Sequence, residues 1–354
     1  MSVFRKKIKP LIGLDISSTA VKLIELGGDK DKMQVVSYAA IGLPPESVVD
    51  KQIVDPEGVG EAIKRAVKKA GTRTREAVIA VGGSSVITKV VPMPAGLSDD
   101  EMEQQIMIEA DQYIPFPLEE VGLDFEVLGP SETEEGSVNV LIAACRNETI
   151  ENRVASVDLG GLKCKIVDIE SNALESACHL ISAELTLEDS DSAIAFIDVG
   201  ATTTTLNIMH RDSIIYTRDQ SIGGKQLTEE IMAHYGLSYE EAGKAKRIGG
   251  LPDGYSDEVL KPFIEDVIQQ INRGLQFFFS SNNRVEHISQ IVLAGGCASI
   301  PGIDQAVEEE LEVATRIANP FGGMAIQSRA NPKMLKLDAP ALMTACGLAL
   351  RSFD

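Results

Sequence analysis

Residues 13–26 read GLDISSTAVKLIEL, and residues 195–209 read AFIDVGATTTTLNIM. In each stretch an apolar strand ends in an aspartate, Asp15 or Asp198, a turn of small hydroxyl residues follows, and an alternating strand leads away. The two aspartates lie 183 positions apart. A hairpin that recurs at this spacing predicts an internal repeat, and therefore two similar domains that face each other.

The segments around these hairpins alternate between strand and helix patterns. Residues 32–44 predict a third strand, residues 55–71 a helix closed by Gly71, and residues 75–83 a buried strand. In the second half, apolar residues at helical spacing predict a long helix from about Asp257 to Ser280. This alternation is typical of an α/β fold.

Residues 84–163 interrupt the pattern with strands and helices in the order β-α-β-β-α. Such an order within about 80 residues predicts a small α+β module inserted into a larger α/β domain. We therefore expect three units. They are a first domain of residues 1–185 plus 338–354, the inserted module of residues 84–163, and a second domain of residues 190–337.

Composition excludes several classes of function. The chain has 33 basic and 53 acidic residues and a formal charge of −20, which argues against general nucleic-acid binding. The five cysteines show no Cys-x-x-Cys spacing and the four histidines no metal-ligand spacing, so we expect reduced thiols and no zinc site. The basic start is not followed by a long apolar run, and we expect a cytoplasmic protein without a signal peptide.

The two polar turns carry the predicted chemistry. A turn of small residues after a buried strand directs backbone N–H groups at a phosphate, and hydroxyl side chains add donors without bulk. Mg²⁺ on a nucleotide keeps several waters and needs nearby carboxylates to hold them, a role that suits Asp15 and Asp198. A third stretch, IVLAGGCASIPGI at 291–303, places Gly295 and Gly296 after a strand, where an adenosine ring can lie against backbone.

These motifs, in this chain order, resemble the first phosphate, second phosphate and adenosine motifs of the superfamily of actin, sugar kinases and heat-shock chaperones. KIVDIESNALESA at 165–177 and APALMTACGLAL at 339–350 fall where that superfamily has its two connecting helices. The position of the inserted module resembles the cell-division protein FtsA. Residues 91–129, within a short acidic chain, resemble the PilM family of type IV pilus assembly proteins, and this likeness covers essentially the whole chain.

The resemblance implies an actin-like fold that binds ATP and Mg²⁺ in a cleft between two similar domains. It implies that the magnesium-side aspartates are Asp15 and Asp198, and that the phosphate-loop residues are Ser17, Ser18, Thr19, Ala201, Thr202 and Thr203. It implies a glycine turn at Gly223 and Gly224, and an acid and a base near ribose and adenine at Glu241 and Lys244. The adenosine loop would be formed by Gly295, Gly296 and Ala298.

Hydrolysis is a separate question from binding, because it needs a residue that orients the attacking water. Glu170 occupies the position where some relatives place such a carboxylate, although the local sequence departs from theirs. A solvated glutamate at a helix start is the alternative. The chain's status as an enzyme therefore stays open, with ATP binding expected and at most weak hydrolysis.

The leading hypothesis is a nucleotide-responsive scaffold. The inserted module brings apolar and acidic residues, typical of a protein-binding surface: Met107, Ile108, Ile114, Phe116 and Leu118. Resemblance to the PilM family implies binding of the cytoplasmic tail of an inner-membrane partner, PilN, which would hold the protein at the membrane indirectly. The acidic surface is a weaker candidate for contact with the pilus motor ATPases. The oligomeric state stays open, and the alternatives are an actin-fold small-molecule kinase and a polymerising FtsA-like filament.

Overall fold

The computed structural model describes residues 9–131, 134–181, 185, 192–211, 213–282 and 285–354. The basic residues of the N-terminal start, Arg5, Lys6 and Lys7, lie outside these ranges. Most of the polar stretch LEDSDS at 187–192, between the two predicted domains, also lies outside them. The first half contains β1 Ile12–Ile16, β2 Ala20–Asp29, β3 Lys32–Gly42, β4 Val48–Val49, β5 Gln52–Ile53, α1 Pro56–Ala70, β6 Glu76–Val81, β7 Val86–Pro94, α2 Asp99–Tyr113, β8 Val121–Pro130, β9 Ser137–Arg146, α3 Asn147–Leu159, β10 Lys163–Ile169 and α4 Glu170–Ile181. The second half contains β11 Ser192–Val199, β12 Thr204–His210, β13 Ser213–Gln220, α5 Gly224–Tyr235, α6 Tyr239–Ile248, α7 Lys261–Ser281, β14 His287–Ala294, α8 Ile303–Leu311, β15 Thr315–Ile317, β16 Ala325–Ile326, α9 Pro332–Asp338 and α10 Met343–Leu350.

Two mixed sheets have the same topology. The first runs β10-β6-β1-β2-β3-β16 and the second runs β15-β14-β11-β12-β13. In both, the strand that ends near the aspartate pairs antiparallel with the next strand in sequence and parallel with a later one. Strands β1, β2, β3, β6 and β10 thus correspond to β11, β12, β13, β14 and β15. The predicted internal repeat is confirmed as a repeat of sheet topology.

The repeat extends to single hydrogen bonds. The N–H of Ser17 donates to the carbonyl of Ala20 at 3.0 Å, and 183 positions later the N–H of Gly200 donates to the carbonyl of Thr203 at 3.0 Å. Both hairpins therefore close in the same way, which leaves two residues at each tip. Strands β1 and β11 are buried along nearly their whole length, so each tip stands on a fixed strand pair.

Local signals set the helix boundaries. The Asp55 side chain accepts from the N–H of Gly58 at the start of α1, and Gly71 ends the helix with φ 65°. Its apolar face, with Val59, Ile63 and Ala66, packs on β1 and β2. The long helix predicted from Asp257 begins as a short π-helical turn at Ser256–Leu260 and continues as α7.

Helices α4 and α10 lie between the two large sheets. Leu174, Ala177 and Cys178 of α4 pack against Phe196 of the second sheet. Ala345 and Cys346 of α10 pack with β2 and β3 of the first sheet, whose buried Ile24 and Val35 belong to the same core. These helices therefore connect the two halves, as the family resemblance implied.

The inserted module has the predicted β-α-β-β-α order. Its sheet runs β7-β9-β8, and α2 covers one face with Met102 and Ile106 packed on Val140 and Ile142. Helix α3 instead packs against the first domain, because its Val157 belongs to the core beneath α1. The module is thus anchored to the first domain through α3.

One segment lies elsewhere than the sequence pattern indicated. Residues 321–337, which we expected within the second domain, pack instead against the first. Strand β16 pairs parallel with β3, and Phe321 and Leu335 share a core with Tyr38. These apolar residues follow β15 directly, so only their three-dimensional partners reveal the domain that buries them.

Candidate functional site

The two hairpin tips face each other across a cleft of about 2230 Å³. The hydroxyl of Thr202 donates to the hydroxyl of Ser18 at 3.2 Å, so the two halves of the repeat touch at their tips. Among the described residues, none accepts a hydrogen bond from the tip amides of Ser18, Thr19, Ala201 or Thr202. Four N–H donors are therefore available to a ligand that enters between the tips.

Asp15 and Asp198 lie at the base of the tips and line the same cleft. Asp15 accepts from the ammonium of Lys22 at 2.9 Å. Burial raises the pKa of Asp198, an effect that the charge of Lys22 opposes and that of Asp15 reinforces. For Lys22, burial works to lower the pKa, but the attraction of Asp15 and Asp198 outweighs it and the pKa is raised. The ammonium thus stays charged between two carboxylates.

A second ion-pair cluster lies in the same cleft. The ammonium of Lys51 is 2.8 Å from a carboxylate oxygen of Glu170 and 3.3 Å from one of Asp219. Burial works to lower the pKa of Lys51, but the two carboxylates overcome this and raise it. Glu170 stands at the first position of α4, where the macrodipole also favours a negative charge. In the structure, Glu170 is therefore an ion-paired residue of the cleft and not a solvated one.

The glycine loop after β14 supports Asp198. Gly295 has φ 86° and ψ 171°, and a Cβ at this position would lie 2.5 Å from the carboxylate of Asp198. Gly296 and Cys297 line the cleft, whereas Ala298 is buried beneath the loop. Of this predicted set, only Gly296 is directly accessible from the cleft, and the others shape the loop behind it.

The glycine turn before α5 is held by a lysine that sequence reasoning missed. Lys246 donates to the carbonyl of Gly224 at 2.6 Å and to the hydroxyl of Thr228 at 2.8 Å. Burial lowers the pKa of Lys246. Gly224 lines the cleft, and Gly223 lies directly against the carbonyl of Ala201. This turn therefore braces the second phosphate turn from behind.

Of the two predicted residues on helix α6, Lys244 lines the cleft and Glu241 does not. Lys244 lines the cleft together with Glu240. Glu241 does not, because its carboxylate accepts from the N–H and the hydroxyl of Ser238 at 2.9 and 2.6 Å and caps the helix. This cap is visible in the sequence as Ser238-x-x-Glu241, a signal that Glu241 is engaged at the helix start.

The cleft thus brings together most of the predicted residues. Those in its lining are Asp15, Ser17, Ser18, Thr19, Glu170, Asp198, Ala201, Thr202, Thr203, Gly224, Lys244 and Gly296. Gly223, Glu241, Gly295 and Ala298 lie outside that lining. Sequence reasoning missed the charged residues Lys22, Lys51 and Asp219, for which no turn or glycine signal exists.

The shared sheet topology, the paired tips and the cleft between them define an actin-like protein. Ta0583, an archaeal actin homologue solved in complex with ADP, has this fold, with a TM-score of 0.51 at 14% identity over 97% of this chain and 99% of that one. The chain belongs to the type IV pilus assembly protein PilM family, whose model matches residues 13–353.

Two further relatives support this assignment. The solved PilM-PilN type IV pilus biogenesis complex is similar, with a TM-score of 0.80 at 27% identity over 97% of this chain and 98% of that one. The cell division protein FtsA of Bacillus subtilis (strain 168) is 24% identical over 87% of this chain and 78% of its own length. The predicted relationship to the PilM family and to FtsA is confirmed.

Among the described residues, no helix combines the length and the apolar character that a bilayer crossing requires. In the same part of the chain, no three His, Cys, Asp or Glu side chains are grouped so as to hold a metal ion directly.

Proposed function

We propose that this chain is a nucleotide-responsive scaffold of type IV pilus assembly. In this proposal ATP with Mg²⁺ binds between the two actin-like domains, and the inserted module binds the cytoplasmic tail of the inner-membrane protein PilN. The observation that carries the proposal is the pair of matching tips, 3.2 Å apart at Ser18 and Thr202, with one acid at the base of each. A ligand held by both tips fixes the angle between the domains.

The tips fit a polyphosphate. Their four amides have no acceptor among the described residues, and the hydroxyls of Ser17, Ser18, Thr19, Thr202 and Thr203 surround them. Backbone donors at a tight turn are the usual way in which proteins hold phosphate. On the nucleoside side, Gly224, Lys244 and Gly296 line the cleft, and Gly223, Gly295 and Ala298 shape the turns behind them.

The acids fit a hydrated magnesium ion. Asp15 and Asp198 supply carboxylate oxygens at the base of the two tips, and Mg²⁺ favours oxygen ligands while it keeps several waters. Magnesium, when bound, would neutralise phosphate charge beside these acids. The ammonium of Lys22 lies 2.9 Å from a carboxylate oxygen of Asp15, so this environment accommodates a positive charge.

Hydrolysis is expected to be weak at most. Glu170 is the candidate for orienting water, but its carboxylate accepts from Lys51 at 2.8 Å. A carboxylate held by an ammonium is a poorer acceptor for a water proton. The arrangement therefore favours a binding and signalling role over rapid turnover.

The module suits a basic, partly apolar peptide. Residues 84–163 contain sixteen acidic and four basic residues, a stronger acidic bias than that of the whole chain. Met107, Ile108 and Phe116 are exposed on it, with Ile108 63% accessible. Ile114, which we expected on this surface, is 7% accessible and packs in the module core, with Leu118 against it. The solved PilM-PilN complex makes the PilN tail the first partner to test. Such a partner would place a cytoplasmic protein at the inner membrane indirectly.

The first experiment is calorimetric titration of ATP with and without Mg²⁺. We expect magnesium-dependent binding that Asp15→Asn and Asp198→Asn each weaken by tenfold or more, while Asp31→Asn, an exposed loop residue, leaves it unchanged. Equal affinity in all four proteins would contradict the assigned site. No binding in the wild type would leave an actin-like fold that works as a nucleotide-free adaptor.

The second experiment titrates a synthetic PilN tail peptide, from the same organism, into the protein with and without Mg-ATP. We expect Ile108→Ser to weaken peptide binding, whereas Val54→Ser, a comparably exposed aliphatic residue outside both the module and the cleft, leaves it unchanged. A peptide that binds neither form, or that binds Ile108→Ser as tightly as wild type, contradicts this location. Equal affinity with and without nucleotide would reject the coupling between the two sites.

A further inference from the structure

We infer that Lys51 distinguishes ATP from ADP by exchanging its ion pair with Asp219 for one with the terminal phosphate, while it stays paired with Glu170, and that Arg153 of the inserted module positions it. This inference rests on the proposed nucleotide binding. Its consequence is that ATP, and not ADP, loosens an ion pair between the two domains at a point held by the module.

The hairpin that carries Lys51 is strained. Asp50 and Lys51 join β4 to β5 with φ values of 48° and 63°. Two consecutive non-glycine residues with positive φ cost of order 1 kcal/mol or more each, and such strain concentrates at functional sites. The turn directs Lys51 into the cleft, where it lies among the lining residues.

Lys51 joins carboxylates from both domains. Glu170 begins α4 directly after β10, an edge strand of the first sheet, whereas Asp219 lies on β13 of the second sheet. Gly82, at the end of β6, leaves the space that Glu170 fills, because a Cβ there would overlap that carboxylate. Lys51 therefore bridges the cleft between the two domains.

Arg153 fixes this bridge from behind. It is 2% accessible, and one guanidinium nitrogen donates to the carbonyl of Lys51 at 2.7 Å while another lies 3.5 Å from the carbonyl of Ile16. Its Nε has no partner, and among the described residues no carboxylate lies within ion-pair distance of it. A buried guanidinium without a paired carboxylate is costly to desolvate. The hydrogen bonds of Arg153 connect α3 to the Lys51 turn and to the end of β1, just before the first phosphate turn.

The terminal phosphate is the ligand group that would compete for Lys51. Lys51 lines the same cleft as Asp15, Asp198 and the residues of both hairpin tips. If a nucleotide binds with its nucleoside at Lys244 and Gly296 and its phosphates at the tips, the terminal phosphate is the group that would reach Lys51. The side chain of Asp219 is 34% accessible and its oxygen lies 3.3 Å from the ammonium, so this ion pair is weaker than the one with Glu170 at 2.8 Å.

The test is the ratio of ATP to ADP affinity, measured by calorimetry with Mg²⁺. In Lys51→Met the ratio should fall roughly 10- to 100-fold, as expected for loss of a charge-assisted contact to one phosphate. Lys64→Met, which removes an exposed lysine of α1 outside the cleft, should leave the ratio unchanged. Asp219→Asn should raise the ratio roughly two- to fivefold, because it frees Lys51. Arg153→Met should lower the ratio, with no further fall in the double variant.

The outcomes separate the inference from the proposed function. If the wild type binds neither nucleotide, both fail. If it binds ATP and Asp15→Asn abolishes this, but folded Lys51→Met keeps the wild-type ratio, only the role of Lys51 is overturned. If Lys51→Met does not fold, Asp219→Asn decides, and an unchanged or lower ratio rejects the inference.

Discussion

Gly295 offers the sharpest test of how the fold builds the cleft. Its φ of 86° and ψ of 171° fall in a region that only glycine adopts readily. A Cβ added there would lie 2.5 Å from both the carboxylate of Asp198 and the carbonyl of Val199. Neither the strained backbone nor the backbone carbonyl can yield without moving β11 or the acid. Gly295→Ala therefore combines conformational strain with an overlap at the acid itself.

Gly302 is the matched control, since it has φ 80° and ψ 1° and a Cβ there would meet nothing within 4 Å. Gly302→Ala should lower the free energy of unfolding by about 1 kcal/mol, the cost of a left-handed alanine. For Gly295→Ala we expect about 3 kcal/mol or more, the sum of a glycine-only conformation and the overlap.

The assay is equilibrium unfolding in urea, followed by ATP titration at a temperature where both variants are folded. Gly295→Ala should weaken magnesium-dependent ATP binding at least tenfold, because Asp198 is displaced, and Gly302→Ala should bind as the wild type does. The reasoning is refuted if the two variants lose the same stability, or if Gly295→Ala binds ATP normally.

Four further outcomes follow from the burial and bonding of single residues. Asp198→Asn should unfold at the same or a higher urea concentration than the wild type, because the raised pKa means that the buried charge disfavours the folded state at neutral pH. Asp15→Asn should lose about 3 kcal/mol in the same assay, since it removes the hydrogen-bonded carboxylate of the Lys22 ion pair; a smaller loss than in Asp198→Asn would be contradictory. Burial raises the pKa of Cys164 to about 11, so at pH 8 a disulfide reagent should modify it roughly 100 times more slowly than in the unfolded chain, measured against Cys164→Ser. Tyr38→Phe should cost about 1 kcal/mol by loss of the 2.8 Å bond to Asp338, and an unchanged midpoint would show that this bond contributes nothing.

The repeated hairpins could be predicted because both their strands and their turns leave local traces. Alternation marks the strands, an aspartate marks the end of each, and small hydroxyl residues mark the tips. The 183-residue offset then relates Ser17 to Gly200 down to a single hydrogen bond. Fold class and the acids of the cleft were therefore accessible from the sequence.

The charged partners were not accessible, for physical reasons. Lys22 is one of the polar residues on an alternating strand, and only the pairing of β1 with β2 sets it opposite Asp15. Lys51 depends on a strained turn and on carboxylates more than 100 positions away. The position of Glu241, in contrast, could be predicted from the sequence, because Ser238 and Glu241 have the spacing of a capping box. The family resemblance instead implies a role for Glu241 near the ribose. Ion pairs between residues far apart in sequence produce no periodic pattern along the chain, so such partners can be identified only from the three-dimensional structure.

The charge of the cleft reconciles an acidic protein with an anionic ligand. The whole chain carries 53 acidic and 33 basic residues, whereas the cleft is lined by eight acidic and six basic ones. The formal charges in the cleft lining therefore nearly cancel. The remaining two negative charges would be neutralised by one divalent cation. A bare polyphosphate would meet net repulsion there, while one that arrives with Mg²⁺ adds half as much negative charge and brings the cation to the acids. If this balance governs binding, removal of magnesium should weaken ATP far more than it weakens AMP, and equal effects on both would show that the nucleoside contacts dominate instead.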